Sequence, residues 1–260
     1  MNKNRQILIF ENSYTLTNYL TKYWIEAAHR SIEDHNRFCV ALSGGRTPTE
    51  IYVRLSTVKD DGLWGKTHIF WADEHFVSHE DKDSHFRMVK ESLLDYIGIP
   101  WHNIHPINTS YENVLICAED YKNSLLYFFD IKDRKPPRFD LILLGLGLNG
   151  EVASLHPHKE WINDPNRFTI PVITPFYKNE RVSLTLNVIN RARNIVVVVQ
   201  GSVKAEIVRK IFEEKIEVPA SLIQPEDGVL FFLLDKEAAS QLSLKGHYTD
   251  QGQAVSVSYE

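Results

Sequence analysis

The sequence predicts an α/β fold, a doubly wound, mostly parallel Rossmann-like sheet with helices on both faces. Three observations lead there. Six apolar, β-rich runs punctuate the chain, and segments with apolar residues three and four apart separate them. One run, Leu141-Ile-Leu-Leu, breaks abruptly into a turn carrying Gly145, Gly147 and Gly150. Strands covered on both faces need near-continuous apolar stretches, and strands alternating with helices favour parallel pairing.

In order, the expected strands are Ile7 to Phe10, Phe38 to Leu42, His68 to Trp71, Leu141 to Leu144, Ile195 to Val199 and Val229 to Leu234. Tyr14 to Ile32, Thr49 to Leu55, Phe86 to Tyr96, Val114 to Phe129 and Lys204 to Phe212 have the spacing of covering helices, with charges on the remaining face. Asp130 to Arg138, rich in charge and proline, reads as a surface loop rather than a linker, because the strand after it is needed to complete the sheet. Residues 1–244 therefore form one α/β domain, and 245–260 a polar tail, partly ordered at best. There is no internal repeat, low-complexity tract or heptad pattern.

The 260 residues carry a formal net charge of −5, which argues against a general nucleic-acid surface while leaving room for a local basic pocket. No apolar run approaches the roughly 18 residues of a membrane span, and the polar start lacks a secretory core, so a cytoplasmic protein is expected. The two cysteines, Cys39 and Cys117, read as buried reduced thiols.

Chemistry-bearing residues cluster where expected strands end. Ser43-Gly44-Gly45-Arg46-Thr47-Pro48 joins a strand to a helix, so backbone N–H groups, a hydroxyl and a helix amino end converge where an anion can sit. The same letters suit an ordinary turn with Thr47 as N-cap and Pro48 at the first helical position. After the next strand come Asp73, Glu74 and His75, then His85 and Arg87. Arg87 suits bidentate phosphate binding, and Asp73 and Glu74 equally suit strand capping or an ion pair with Arg87. The histidines and aspartates of this block have no strong metal-ligand spacing. Arg181 and Lys204 follow, each with a structural reading as ion-pair partner or solvated lysine. Leu141 to Pro157 delivers the glycine turn, with Asn149 and Glu151, to the carboxyl end of a buried strand, where open α/β sheets bind ligands.

Taken together, from about residue 38 to 235, these blocks resemble the 6-phosphogluconolactonases, a sugar-phosphate family grouped with the glucosamine-6-phosphate isomerases. Their Gly-x-Gly-x-Asp-Gly-His-x-Ala-Ser-Leu-Phe-Pro signature is matched from Gly145 to Pro157, with Asn149 for the Asp, Glu151 for the His and His156 for the Phe. Ser-Gly-Gly-Arg-Thr-Pro matches the phosphate loop. Trp71 to Val77 matches Trp-x-Asp-Glu-Arg-x-Val with His75 for the Arg, and Asp83 to Arg87 matches Asp-Ser-Asn-x-Arg with His85 for the Asn. Arg181 to Leu186, Gly201 to Ala205 and Pro219 to Pro225 match three further segments, the last mainly architectural, with Asn187 in place of a proline.

The resemblance implies hydrolysis of 6-phospho-D-glucono-1,5-lactone to 6-phosphogluconate in the pentose phosphate pathway, without cofactor or metal and with a small phosphorylated lactone as partner. It implies a phosphate or substrate role for Ser43, Gly44, Gly45, Arg46, Thr47, Asp73, His75, Arg87, Arg181 and Lys204, and a catalytic one for Glu151 and Asn149. The family's base is the histidine replaced here by Glu151. A carboxylate is a weaker base than imidazole by about two units, which lowers the rate about tenfold at ordinary Brønsted sensitivity. His156 and His158 are candidates to return an imidazole to the cleft. Two alternatives stand beside hydrolysis: a phosphosugar-binding relative that has lost turnover, and an amino-sugar-phosphate isomerase-deaminase using Asp73 as base. The second usually carries Ala-Phe-Asn-Glu-Pro where this chain has Ala-Ser-Leu-His-Pro.

Overall fold

A computed structural model describes residues 5–132, 135–157, 167–175, 177–243, 247–248 and 254–257. Six parallel strands form its centre: β1 (Arg5–Phe10), β2 (Phe38–Leu42), β3 (Thr67–Trp71), β6 (Leu141–Gly145), β9 (Asn194–Val199) and β10 (Val229–Asp235). Each expected strand is present, within a residue or two of its expected bounds. All five residues of β2 and the first four of β6 are buried, as an apolar run covered on both faces requires.

The helices follow the expected spacing with sharper limits. They are α1 (Ser13–His35), α2 (Arg46–Leu55), α3 (Asp61–Gly65), α4 (His85–Ser92), α5 (Val114–Phe128), α6 (Leu186–Ile189) and α7 (Ala205–Phe212). Asn12 caps α1 in a reciprocal box with Thr15. The stretch read as one helix over Phe86 to Tyr96 breaks at Leu93 into a short 3₁₀ turn, and a 3₁₀ turn over Ser202–Lys204 precedes α7.

Two short strands, β11 (His247–Tyr248) and β12 (Ala254–Val257), lie in the segment expected to be a polar tail, with β12 antiparallel to β1. An edge strand exposes unpaired backbone N–H and C=O groups, and β12 supplies partners for those of β1. With β5 (Ile104–His105) at the other edge, the sheet order is β11-β12-β1-β10-β9-β6-β2-β3-β5.

The chain enters β2 in mid-sheet, builds β3 and β5 on one side, then returns to β6 on the other and continues outward. The topological switch point therefore lies between β2 and β6, and the two glycine turns that leave these strands meet there.

A second, antiparallel sheet was not foreseen. It contains β4 (Asp73–His75), β8 (Arg181–Leu184) and β7 (Thr169–Val172) in the order β4-β8-β7, and α5 packs against β7 and β8. Its register sets Asp73 opposite Ser183 and His75 opposite Arg181.

Candidate active site

The carboxyl ends of β2, β6, β9 and β10 and the small sheet enclose a cleft of about 830 Å³. Ser43, Gly44, Gly45, Arg46, Thr47, Asp73, His75, Glu151, Arg181 and Lys204 all line it. Arg87 does not: its Nε donates to Glu91 Oε1 at 2.7 Å and its Nη1 to the Glu80 carbonyl at 2.8 Å. In this arrangement the residue expected as a phosphate clamp lies along α4, off the lining. Exposed Asn149 is also absent from the lining. Its part is through the backbone, where its N–H donates to Glu151 Oε2 at 2.9 Å.

At one end, α2 begins directly after Gly45, so its amino end and Arg46 open on the cleft. Thr47 is not the N-cap and Pro48 is not the first helical residue, since the helix starts at Arg46. Lys204 enters from the opposite side on the turn after β9, a turn held by Asp235, whose carboxylate accepts the Gly201 N–H at 3.0 and 3.1 Å. Burial lowers the pKa of Lys204; the Glu151 charge acts against that shift and Arg46 adds to it.

At the other end, Asp73 is buried and accepts a 2.7 Å hydrogen bond from Ser154 Oγ, and Arg181 Nη1 lies 3.4 Å from the same hydroxyl. The Arg181 guanidinium sits 3.6 Å from the Tyr177 ring centroid. Burial, followed by the His85 and Arg181 charges, pushes His75 down to about 4, so it is neutral at neutral pH. Glu74 belongs to the frame: its carboxylate accepts the backbone N–H groups of His75, His85 and Phe86 at 2.7 Å each.

Four buried polar atoms on this cleft have no hydrogen-bond partner among the described residues: Ser43 Oγ, His75 Nδ1, Arg181 Nε and Gln200 Nε2. Buried polar groups are almost always satisfied, so these four leave the cleft with unmet hydrogen-bonding capacity. Three contributors escaped sequence reasoning as site residues. Asp235 is the last letter of an apolar strand, Ser154 stands in the sequence only as part of a motif, and His85 only as a substitution.

A family model described as glucosamine-6-phosphate isomerases/6-phosphogluconolactonase matches residues 11–232. The chain belongs to this family. It is 37% identical over 244 residues to the 6-phosphogluconolactonase of Synechocystis sp., covering 92% of this chain and 95% of that one. Identity is 35% over 219 residues to the 6-phosphogluconolactonase of Nostoc sp., covering 82% and 88%. The structure of 6-phosphogluconolactonase from Trypanosoma brucei superposes with a TM-score of 0.81 at 27% identity, covering 92% of this chain and 99% of that one.

Within the family signature, the loop from Gly145 to Pro157 is braced internally and from outside. The Gly147 N–H donates to the Glu151 carbonyl at 2.8 Å, and Ala220 of the Pro-Ala-Ser-Leu segment donates to the Gly150 carbonyl at 3.0 Å, in keeping with an architectural role for that segment. The Glu151 side chain lies against Gly147, where a Cβ would come within 1.9 Å of Glu151 Cδ, so the loop accepts this carboxylate only over a glycine. His156 does not line the cleft. Its Nδ1 is 3.1 Å from the Pro157 carbonyl, and its ring meets Tyr177 edge-on. His158 lies outside the described residues.

Proposed function

We propose that this chain hydrolyses 6-phospho-D-glucono-1,5-lactone to 6-phosphogluconate by base-activated attack of water on the lactone carbonyl. The observation that carries the reading is the division of one cleft into two ends. Ser43 to Thr47 with Lys204 form a cationic end suited to a phosphate, and Asp73, His75, Arg181 and the Glu151 loop form a polar end suited to a sugar ring. A phosphate held at the first end fixes the ring at the second, and that positioning supplies much of the rate enhancement.

Glu151 stands where the family pattern has its histidine and is the first candidate for the base, with the Asn149 N–H holding its carboxylate. The substrate is a free small molecule, and the buried, unbonded Cys39 and Cys117 suit the cytoplasmic location expected from the sequence. Residues 1–244 serve as one catalytic unit, since the strand ends of the large sheet and the small sheet enclose one cleft together.

The decisive assay follows acid release from freshly generated lactone with the spontaneous rate subtracted. Catalysis above that rate supports the reading. Binding of 6-phosphogluconate without catalysis would leave the phosphosugar-binding alternative, and ammonia release from glucosamine 6-phosphate would favour the isomerase-deaminase one.

A further inference from the structure

Hydrolysis needs a proton acceptor beside the lactone, and the Glu151 carboxylate, a weaker base than imidazole, is one candidate. Its Oε2 accepts the Asn149 N–H, its side chain is pressed against Gly147, and its charge acts to keep Lys204 protonated. An imidazole is available elsewhere on the same cleft.

His85, the first residue of α4, has a side chain only 14% exposed, and its Nδ1 lies 3.0 Å from the backbone carbonyl of Asp73. A carbonyl oxygen accepts and never donates, so Nδ1 carries the hydrogen. In the neutral ring Nε2 is then an unprotonated lone pair. The Cδ2–Nε2 edge passes over Gly44 so closely that a Cβ there would lie 2.0 Å from Cδ2 and 2.3 Å from Nε2. The phosphate loop thus yields space to this ring, and Nε2 has no hydrogen-bond partner among the described residues.

We infer that Nε2 of His85 is the proton acceptor for the attacking water, a role that rests on the lactonase reading and replaces Glu151 as base. As the water oxygen bonds to the carbonyl carbon, one proton passes to Nε2 and the carbonyl π pair moves to its oxygen. On collapse the bond to the ring oxygen breaks, and the imidazolium returns its proton to that oxygen. This gives the open hydroxy acid and regenerates neutral His85.

The surroundings suit a transient imidazolium. Asp73 Oδ1 lies 3.7 Å from Nδ1, and the Glu74 carboxylate accepts the His85 backbone N–H at 2.7 Å. Asp83 lies two residues upstream, bonded to Lys178 at 3.1 Å. From β4, the His75 ring stands 4.5 Å away between centroids and, being neutral, adds no charge; Arg181 on β8 is the opposing cation. His75 is a poorer candidate, because its Nδ1 has no partner to fix a tautomer.

The test measures kcat and KM from pH 5 to 9 for the native protein, His85→Asn, His85→Gln and Glu151→Gln, with product-induced thermal stabilisation confirming a folded cleft. Replacing a general base costs about 10²-fold or more. Both His85 variants are expected to lose kcat on that scale at nearly unchanged KM, to lose the native fall in kcat toward acid pH, and to regain part of it with added imidazole. Glu151→Gln is expected to keep the acid-side fall. If His85→Asn or His85→Gln kept native kcat and pH profile, or if only Glu151→Gln abolished turnover, the assignment would be overturned with the lactonase reading intact. A native protein no faster than spontaneous hydrolysis would overturn both.

Discussion

Ser154 Oγ and Asp73 Oδ2 meet at 2.7 Å, both buried and 81 residues apart in the chain. This bond ties the glycine loop after β6 to the first residue of β4 and holds the polar end of the cleft together. A buried carboxylate deprived of a donor costs about 1–3 kcal/mol. Ser154→Ala is therefore expected to lower stability by about 2 kcal/mol, seen as a lower urea midpoint at unchanged slope, and to reduce kcat/KM as Asp73 loses its fixed orientation.

Lys204 and Arg46 are expected to act on the phosphate rather than on the lactone. A charge-assisted hydrogen bond contributes about 1.5–3 kcal/mol, or roughly ten- to hundredfold in binding. Lys204→Ala is expected to lower kcat/KM for the phosphorylated lactone by that factor and to leave the rate with unphosphorylated gluconolactone nearly unchanged. Equal losses on the two substrates would show that Lys204 does not contact phosphate.

Arg87 offers the converse test. Its guanidinium is engaged by Glu91 and the Glu80 carbonyl on the outside of α4. Such exposed i,i+4 pairs contribute about 0.3–0.5 kcal/mol. Arg87→Ala is expected to leave KM and kcat unchanged and to shift the thermal midpoint only slightly; a tenfold rise in KM would return Arg87 to the site.

Three histidines make stability depend on pH. Burial is the main cause that pushes His68, His75 and His105 from 6.5 down to about 4. Between pH 4 and 6.5 the unfolded chain thus binds more protons than the folded one, so stability is complete above about 6.5 and is lost as pH falls toward 4. His68 Nδ1 and His105 Nε2 are 3.1 Å apart beyond the cleft, against Phe70 and Phe128. His105→Phe is expected to flatten the decline in thermal midpoint from pH 7 to 4.5. A variant with the native slope would show that this pair does not contribute.

Much of the fold was legible in the chain because periodicity records which face of each element is buried. The apolar runs that became β2, β6 and β9 need no distant information to be read as covered strands, and the spacing in α1, α2, α5 and α7 shows one buried face. Motif order also assembled most of the cleft, since Ser43 to Thr47, Asp73, His75, Arg181 and Lys204 all reach it. The small sheet had no such signature. Strands of three and four residues carry almost no periodicity, and their antiparallel pairing joins segments far apart in sequence.

The sequence by itself determined the six central strands, their parallel sheet and the family, because these depend on local burial patterns and on motif order. Only the tertiary structure decided which of the remaining candidates reach the cleft. It turned Arg87 outward through the facing of α4 and left His156 off the lining. It also brought His85 over Gly44, with Nδ1 donating to the Asp73 carbonyl, because a buried backbone acceptor must find a donor.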